Sequence, residues 1–405
     1  MKVSIITIGD ELLKGSTVNT NAAFLGECLL EIGIVPSQNL VVPDSPDAIC
    51  KALDYLVPDS ELIITSGGLG PTGDDLTRDV IAGYFKLKLV SDESICAIFK
   101  DRWQRLKNCP PPPKVLEQAL VPEGGEAFIN EVGTAPGLWF QADSGKYVCM
   151  LPGPPLEQRP MVAKQLIPKL KSVLKNPVAA KVYYIAHASE SEVEKSVESI
   201  IKGKNIKTAY CASYDHVKLF LSCMSEHELS SVCAEVESHF GEQLLKENCK
   251  SMTEDIIIRL KEKCLTLSTA ESCTGGMIAA GITSIPGASE IFAGSLVAYC
   301  NDIKTRCLNV TREVLDTYGA VSEQCVASMV ENLCARFITS AGIAVSGIAG
   351  PDGGTPEKPV GLVYIAVKVN GQCKVIKCNF SGNRDAIRHR AVAEALYILR
   401  EMLLQ

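Results

Sequence analysis

VSIITIG (3–9), NTNAAFLGECLLEIG (19–33), VPSQNLVVP (35–43), SPDAICKALDYLVPD (45–59), ELIITSGGLG (61–70) and TRDVIAGYFKLKL (77–89) follow one another at the start of the chain. Short apolar runs of strand length alternate with longer runs of helical periodicity. Asn19 or Thr20 can cap the first helix and Gly33 can stop it; Ser45 or Pro46 opens the second. The β-α-β-α-β-α alternation predicts a parallel sheet with helices on both faces. KYVCMLPGPP (146–155) reads as a further strand ending in a Gly/Pro turn, and MVAKQLIPKLKSVL (161–174) as the closing helix. NCPPPPK (108–114) is a polyproline loop.

Beyond this part the pattern changes. KVYYIAHA and VKLFLSCM read as strands, SESEVEKSVESII and HELSSVCAEVESHFGEQL as helices, which makes 176–250 a small α+β unit entered through NPVAAK. From Ser251 a third α/β part begins. SMTEDIIIRLKEKC is an amphipathic helix capped at Ser251 or Thr253. LTLSTA (265–270), GSLVAYC (294–300) and AGIAVSG (341–347) are strands, and SEQCVASMVENLCARF (322–337) is a helix. GLVYIAVKVNGQCKVIKCNF is a hairpin turning on Asn370-Gly371. RDAIRHRAVAEALYILREMLLQ is the last helix. The expected division is 1–172, 176–250 and 251–405.

The composition suits a soluble globular protein of 405 residues, with 46% apolar and 21% charged residues. No apolar run approaches a membrane span, and the N-terminus lacks the pattern of a signal peptide, so a cytoplasmic protein is expected. The net charge is −7, and residues 1–170 carry 15 Lys+Arg against 21 Asp+Glu. Such a chain offers no basic field for nucleic acid. The 17 cysteines include no C-x-x-C, and the five histidines form no H-E-x-x-H. A disulfide framework and a Cys/His zinc site are therefore not expected. The cysteines read as small core hydrophobes, as at Cys28, Cys96 and Cys325.

Three loops follow strands in the first part: GDELLKG (9–15), TSGGLGPTGDDLTRD (65–79) and LPGPP (151–155). In an open parallel sheet, loops at the carboxyl ends of strands converge on one crevice. Glycines there let backbone N–H groups approach a phosphate, and Asp10, Glu11, Asp74 and Asp75 are hard oxygen ligands for a divalent cation. Singly, each loop has a plainer explanation: Gly67-Gly68 can make a tight turn, and the paired aspartates can cap the next helix.

In the third part, ESCTGG (271–276) joins a strand to a helix. The turn carries Ser272, Cys273 and Thr274, and the N–H groups of Gly275 and Gly276 stand where an anion or oxyanion can bind. Ser272 and Cys273 are rival nucleophiles. Lys304 can serve as the base for a serine, whereas no histidine lies near Cys273 in sequence. Ser272 can equally be a helix cap. SGIAGPDGGTPEKP (346–359) is a second glycine-rich loop, and Arg384 and Arg388, one turn apart, can fork a phosphate. These features suggest a nucleotide-like ligand and leave the reaction open.

These strings resemble the CinA family, the competence/damage-inducible proteins, over essentially the whole chain. GDELLKGSTVNTN and SGGLGPTGDDLTRD look like its molybdopterin-binding-like domain. AESCTGG, AYCNDIK, GAVSE, VSGIAGPDGG and FSGNRDAIRHRA look like its C-terminal amidohydrolase domain. The resemblance implies a three-layer α/β/α N-terminal domain, a KH-like middle domain and a C-terminal α/β domain. It implies nicotinamide mononucleotide deamidation, a step of pyridine nucleotide salvage: Ser272 as nucleophile and Lys304 as base, with no cofactor. Thr274, Gly275, Gly276, Tyr299, Asn301, Ser346, Gly347, Gly350, Gly353, Arg384 and Arg388 would bind the substrate. It also implies an N-terminal site of Gly9, Asp10, Glu11, Asn21, Gly67, Gly68, Gly70, Thr72, Asp74, Asp75 and Gly153. That site would hydrolyse ADP-ribose with Mg, Mn or Co on Asp10, Asp74 and Asp75, together with potassium. A homodimer is implied as well. The alternative is a non-enzymatic molybdopterin- or nucleotide-binding protein linked to competence.

Overall fold

The computed structural model describes residues 1–174 and 178–405. The expected linker NPVAAK begins at Asn176-Pro177, outside the described residues. By contacts the chain forms two compact units, Met1–Lys181 with Ser222–Leu229, and Val182–Leu221 with Ser230–Gln405. Most of the middle stretch thus lies in the second unit.

In the first unit, β1 (Val3–Ile8), β2 (Gln38–Val42) and β3 (Leu62–Ser66) are linked by α1 (Thr20–Leu30) and α2 (Pro46–Leu56). Asn19 caps α1 by accepting from Ala22 N at 3.1 Å. Pro46 opens α2, where a missing N–H costs nothing. The helical stretch 77–89 ends sooner than its periodicity predicts, at Tyr84; Lys86 adopts φ 55°, and Leu89 enters a short pair, β4 (Leu89–Ser91) with β5 (Leu120–Pro122). The remaining strands are β6 (Glu126–Phe128), β7 (Gly137–Gln141) and β8 (Tyr147–Leu151), in a six-stranded sheet of order β2-β1-β3-β8-β7-β6. β2, β1, β3 and β8 are parallel, whereas β7 and β6 run antiparallel. The parallel sheet is therefore extended by an antiparallel edge that sequence reasoning did not anticipate. The turn Ala142–Lys146 allows it by closing the β7–β8 hairpin with Gly145 at φ 77°.

Side chains alternate across β1. Val3 and Ile5 pack with Leu25 and Leu29 of α1, while Ile6 and Ile8 pack with Ile49 and Leu53 of α2. Both faces are thus covered, and each fully buried Ile or Leu contributes ~1.5–3 kcal/mol.

The second part of the chain holds a three-stranded sheet of order β10-β11-β9, from β9 (Ala179–Ala186), β10 (Lys207–Ala212) and β11 (His216–Cys223). β10, mostly exposed, was not anticipated from KTAYCA. The largest sheet of the second unit contains β12 (Leu267–Glu271), β13 (Phe292–Val297), β14 (Ala341–Gly347), β15 (Leu362–Val369) and β16 (Gln372–Asn379), ordered β13-β12-β14-β15-β16. The first three are parallel, and β15–β16 is the expected hairpin, with Asn370 at φ 47° and Gly371 at φ 86°. Helices α3 (Met252–Glu262), α4 (Met277–Thr283), α5 (Asn301–Leu308), α6 (Glu323–Phe337) and α7 (Arg384–Leu404) surround it. Residues from α3, α4 and α7 pack on one face, and those from α6 on the other. The α6 face is lined by Ala270, Ala344 and Ala366; at Gly342 a Cβ would overlap the Cys334 sulfur, so the helix can approach closely. Asp255, fully buried, accepts from Arg400 Nε at 2.8 Å and Arg259 Nε at 2.6 Å, so its charge is paired.

All 17 cysteines are free thiols. Cys28 and Cys325 are buried as expected, but Cys96 is half-buried and Cys109, Cys211, Cys264, Cys300 and Cys373 are exposed, so the core reading holds for only part of the set. Among the described residues no helix is long and apolar enough to cross a membrane.

Gly67 follows β3 at φ 111°, and a Cβ there would overlap Ile8 O. Gly67→Ala is expected to cost about 3 kcal/mol of stability, from left-handed strain plus the clash. The check is the urea midpoint. Gly73→Ala, in open space, should leave it unchanged.

Candidate active site

The loops after β1, β3 and β8 meet, as parallel topology requires. Asn21 is buried and donates to Gly153 O at 2.6 Å and to Ser66 Oγ at 3.1 Å. Its Oδ1 has no partner among the described residues. Together with Thr7, Glu11, Asn19, Ser66 and Gly153 it lines a cavity of about 90 Å³, room for part of a ligand. Gly67 adjoins Gly153. Gly68, Gly70, Thr72, Asp74 and Asp75 shape the loop without lining this cavity. At Gly68 a Cβ would overlap Thr77 Oγ1, and at Gly70 it would fall 2.6 Å from Asp75 Oδ2. At Gly9 it would meet the Glu11 carboxylate.

The three aspartates of the expected site are committed elsewhere. Asp10 pairs with Lys14 at 2.8 Å, and that partner holds its carboxyl below the usual range. Asp75 Oδ2 accepts from Thr72 N at 2.9 Å. The hydroxyl of Thr72 and a backbone amide lower Asp74. Asp44, not anticipated from the sequence, accepts from Asp10 N at 3.0 Å; burial raises its carboxyl, as do Glu11, Asp10 and Asp74. Its signal was its place just after β2, at the same sheet edge as the other loops. Among the described residues no three His, Cys, Asp or Glu side chains converge so as to hold a metal ion. The expected set Asp10, Asp74 and Asp75 is not brought together, and the residues present do not fit a resident divalent cation.

The second unit assembles a tighter site. Ser272 stands at the end of β12, where its N–H donates to Val345 O at 2.9 Å. Lys304, on α5, is 1% exposed, and its Nζ lies 3.0 Å from Ser272 Oγ, 2.8 Å from Ala298 O and 3.2 Å from Tyr299 O. No carboxylate pairs with it among the described residues. Burial therefore pushes its pKa down, because the charged form is the one desolvation penalises. A neutral amine has two N–H groups and one lone pair. In that form the two carbonyls can accept the two hydrogens, and the lone pair is then the part of the amine that faces Ser272 Oγ. Cys273 is also buried, and burial pushes its thiol up to about 11. Lys304 Nζ is hydrogen-bonded to Ser272 Oγ, so of the two side chains it is Ser272 that has a base in place.

Ser272, Tyr299, Asn301, Lys304, Ser346, Gly347, Gly350, Gly353 and Arg384 line one cavity of about 260 Å³, near the lower end (~300 Å³) of small-molecule pockets. Ala320, Val321 and Asp352 line it too. Arg384 donates to Gly350 O at 2.6 Å and to the Tyr299 hydroxyl at 2.9 Å, which ties the glycine loop to the mouth of the cavity and leaves further N–H groups for an anion. Ser346 Oγ is spent on Ala320 O at 2.7 Å.

Two expectations change. Arg388 does not fork a phosphate beside Arg384: it donates to Cys273 O at 3.1 Å and Thr274 O at 2.9 Å, so it braces the nucleophile turn. The amides of Gly275 and Gly276 do not face an oxyanion either. Gly275 N donates to Ser272 O at 3.1 Å and Gly276 N to Glu271 Oε2 at 2.9 Å. In this turn only the amides of Cys273 and Thr274 have no oxygen acceptor, backbone or side-chain, among the described residues; both approach the Cys273 sulfur. Thr274 is fully buried and its Oγ1 has no partner among the described residues.

Residues 249–403 match the CinA C-terminal domain model, and residues 4–172 match the model of a probable molybdopterin binding domain. A CinA-like protein of Dictyoglomus thermophilum is 38% identical over 411 positions, covering 100% of both chains. One of Kosmotoga olearia is 38% identical over 415 positions, covering 100% of this chain and 99% of its own. Among solved structures, a competence/damage inducible protein from Agrobacterium tumefaciens is 41% identical, covering 38% of this chain and 94% of its own, with TM-score 0.37.

Proposed function

The chain belongs to the CinA family, and we propose that its C-terminal site deamidates nicotinamide mononucleotide to nicotinic acid mononucleotide and ammonia. The observation that carries this reading is the buried Ser272–Lys304 contact of 3.0 Å, with the lysine's remaining acceptors both carbonyls. Ser272 Oγ attacks the carboxamide carbon while neutral Lys304 takes its proton. The lysine then has three N–H groups. Two stay on Ala298 O and Tyr299 O, and the third is delivered to the departing nitrogen, which leaves as ammonia. Water, deprotonated by the same amine, attacks the acyl-serine, releasing the carboxylate and restoring Ser272. The Cys273 and Thr274 amides are the donors for the tetrahedral oxyanion. Arg384 and the loop Ser346–Gly353 are the phosphate side of the cavity. No step calls on a metal.

For the first unit we propose ligand binding at the Asn21–Ser66–Gly153 cavity, supported by the unpartnered Asn21 Oδ1. Hydrolysis of ADP-ribose there requires a cation whose ligands the described residues do not gather, so no step is assigned to it.

The test is ammonia release by the purified chain from nicotinamide mononucleotide, with and without EDTA. Turnover undiminished by EDTA is expected. A folded protein that binds the mononucleotide without releasing ammonia would overturn the enzymatic reading in favour of a binding protein.

A further inference from the structure

Glu271 precedes the proposed nucleophile, is fully buried, and has no part in the chemistry above. Its carboxylate is nevertheless fully engaged. Oε2 accepts from Gly276 N at 2.9 Å and Ile278 N at 3.1 Å; Oε1 accepts from Ala279 N at 2.9 Å and faces Thr269 Oγ1 at 3.4 Å. Removing a carboxylate from water is costly unless such donors replace the solvent. Here they are backbone donors, one from the last residue of the nucleophile turn and two from the first turn of α4.

Consecutive strand residues point to opposite faces. Ser272 lines the cavity, while Glu271 reaches to the start of α4. From the other side Arg388 holds the carbonyls of Cys273 and Thr274. Between these two anchors, Gly275 and Gly276 take φ 62° and 96°. Glycine permits that path but does not enforce it. The enforcement comes from the carboxylate on one side and the guanidinium on the other.

We propose that Glu271 is a positioning residue for the nucleophile. It ties the first turn of α4 to the end of β12, which fixes Ser272 Oγ on the Lys304 lone pair. By occupying the amides of Gly276, Ile278 and Ala279, it confines the oxyanion donors to Cys273 and Thr274. The inference rests on Ser272 being the nucleophile. A carboxylate serving the fold alone would alter stability and leave the rate per folded molecule unchanged.

The test is Glu271→Gln in the full chain. Glutamine keeps the size and one acceptor, but turns an NH₂ group against an amide donor. The expected result is a kcat for ammonia release at least tenfold lower, with KM within twofold, in protein of wild-type circular dichroism. Labelling of Ser272 by a fluorophosphonate, in which the Oγ–P bond forms and fluoride leaves, should slow in parallel. Labelling needs no mononucleotide. A wild type that labels faster than the variant but releases no ammonia would overturn the substrate reading and uphold the positioning role. Glu271→Asp keeps the anion and should regain part of the lost rate; it also serves if the Gln variant does not fold. Wild-type labelling and turnover in either folded variant would overturn the proposal. Unfolding of both would assign the carboxylate to the fold alone and overturn it equally.

Discussion

Ser272→Ala is expected to lower kcat for ammonia release by about 10⁴-fold or more, the scale on which removal of a catalytic nucleophile acts. The fold should be indifferent. Ser272 Oγ has one partner, Lys304, and that amine keeps both carbonyl acceptors when the hydroxyl is lost. The stability change should stay within about 1 kcal/mol, the usual net value of one hydrogen bond. The measurement pairs a steady-state rate with a thermal unfolding curve. Retained turnover would remove Ser272 from the mechanism. An unfolded variant would show instead that the hydroxyl serves the structure.

Lys304→Met should also lose activity, by about 10³-fold or more, while folding as well as wild type at neutral pH. Burial lowers the folded-state pKa of this lysine below the ordinary 10.5. Between the folded and unfolded values, the unfolded chain binds the proton and the native chain does not. Wild-type stability therefore rises with pH across that window and levels off above the unfolded value. Below the folded value, the native state carries the full penalty of a buried ammonium. The Met variant lacks this dependence, so the two stability profiles should diverge as pH falls through the window. The rate follows the same titration: kcat/KM should rise with pH to a plateau reached below 10.5. Lys304→Arg, charged throughout, should be inactive at every pH. An arginine variant with substantial activity would exclude a neutral base at this position.

Much of this site was legible in the sequence because it lies where strands end. ESCTGG after an apolar run, Lys304 after AYCN and glycines after AGIAVSG all sit at the carboxyl edge of one sheet, and parallel topology brings such edges together. The strand β1, buried on both faces, and the Asn370-Gly371 turn were legible for similarly local reasons. What each polar group would touch was not. Arg384 and Arg388 share a helix face by their spacing, but spacing does not say that one meets the cavity and the other the back of the nucleophile turn. Likewise, Gly275 and Gly276 read as open donors because the sequence does not show Glu271 folding back to take the amide. The antiparallel edge of β6 and β7 was hidden because the apolar part of GLWFQ is only four residues long, which leaves no period to read. Among the acidic residues, composition suggested a metal set, yet Lys14 and Thr72 satisfy the same carboxylates locally.

The sheet order of the second unit has a consequence for how activity is acquired during folding. β12 lies between β13 and β14, and the cavity takes Ser272, Lys304, Ser346 and Arg384 from four elements spread along the sequence. None of these residues is near its partners until the parallel ladder has closed and α7 has docked, and contacts so distant along the chain are slow to form. Catalytic competence should therefore appear at the end of refolding, after most secondary structure has returned. Recovered turnover would then act as a clock for the last docking event, distinct from the earlier recovery of helical signal.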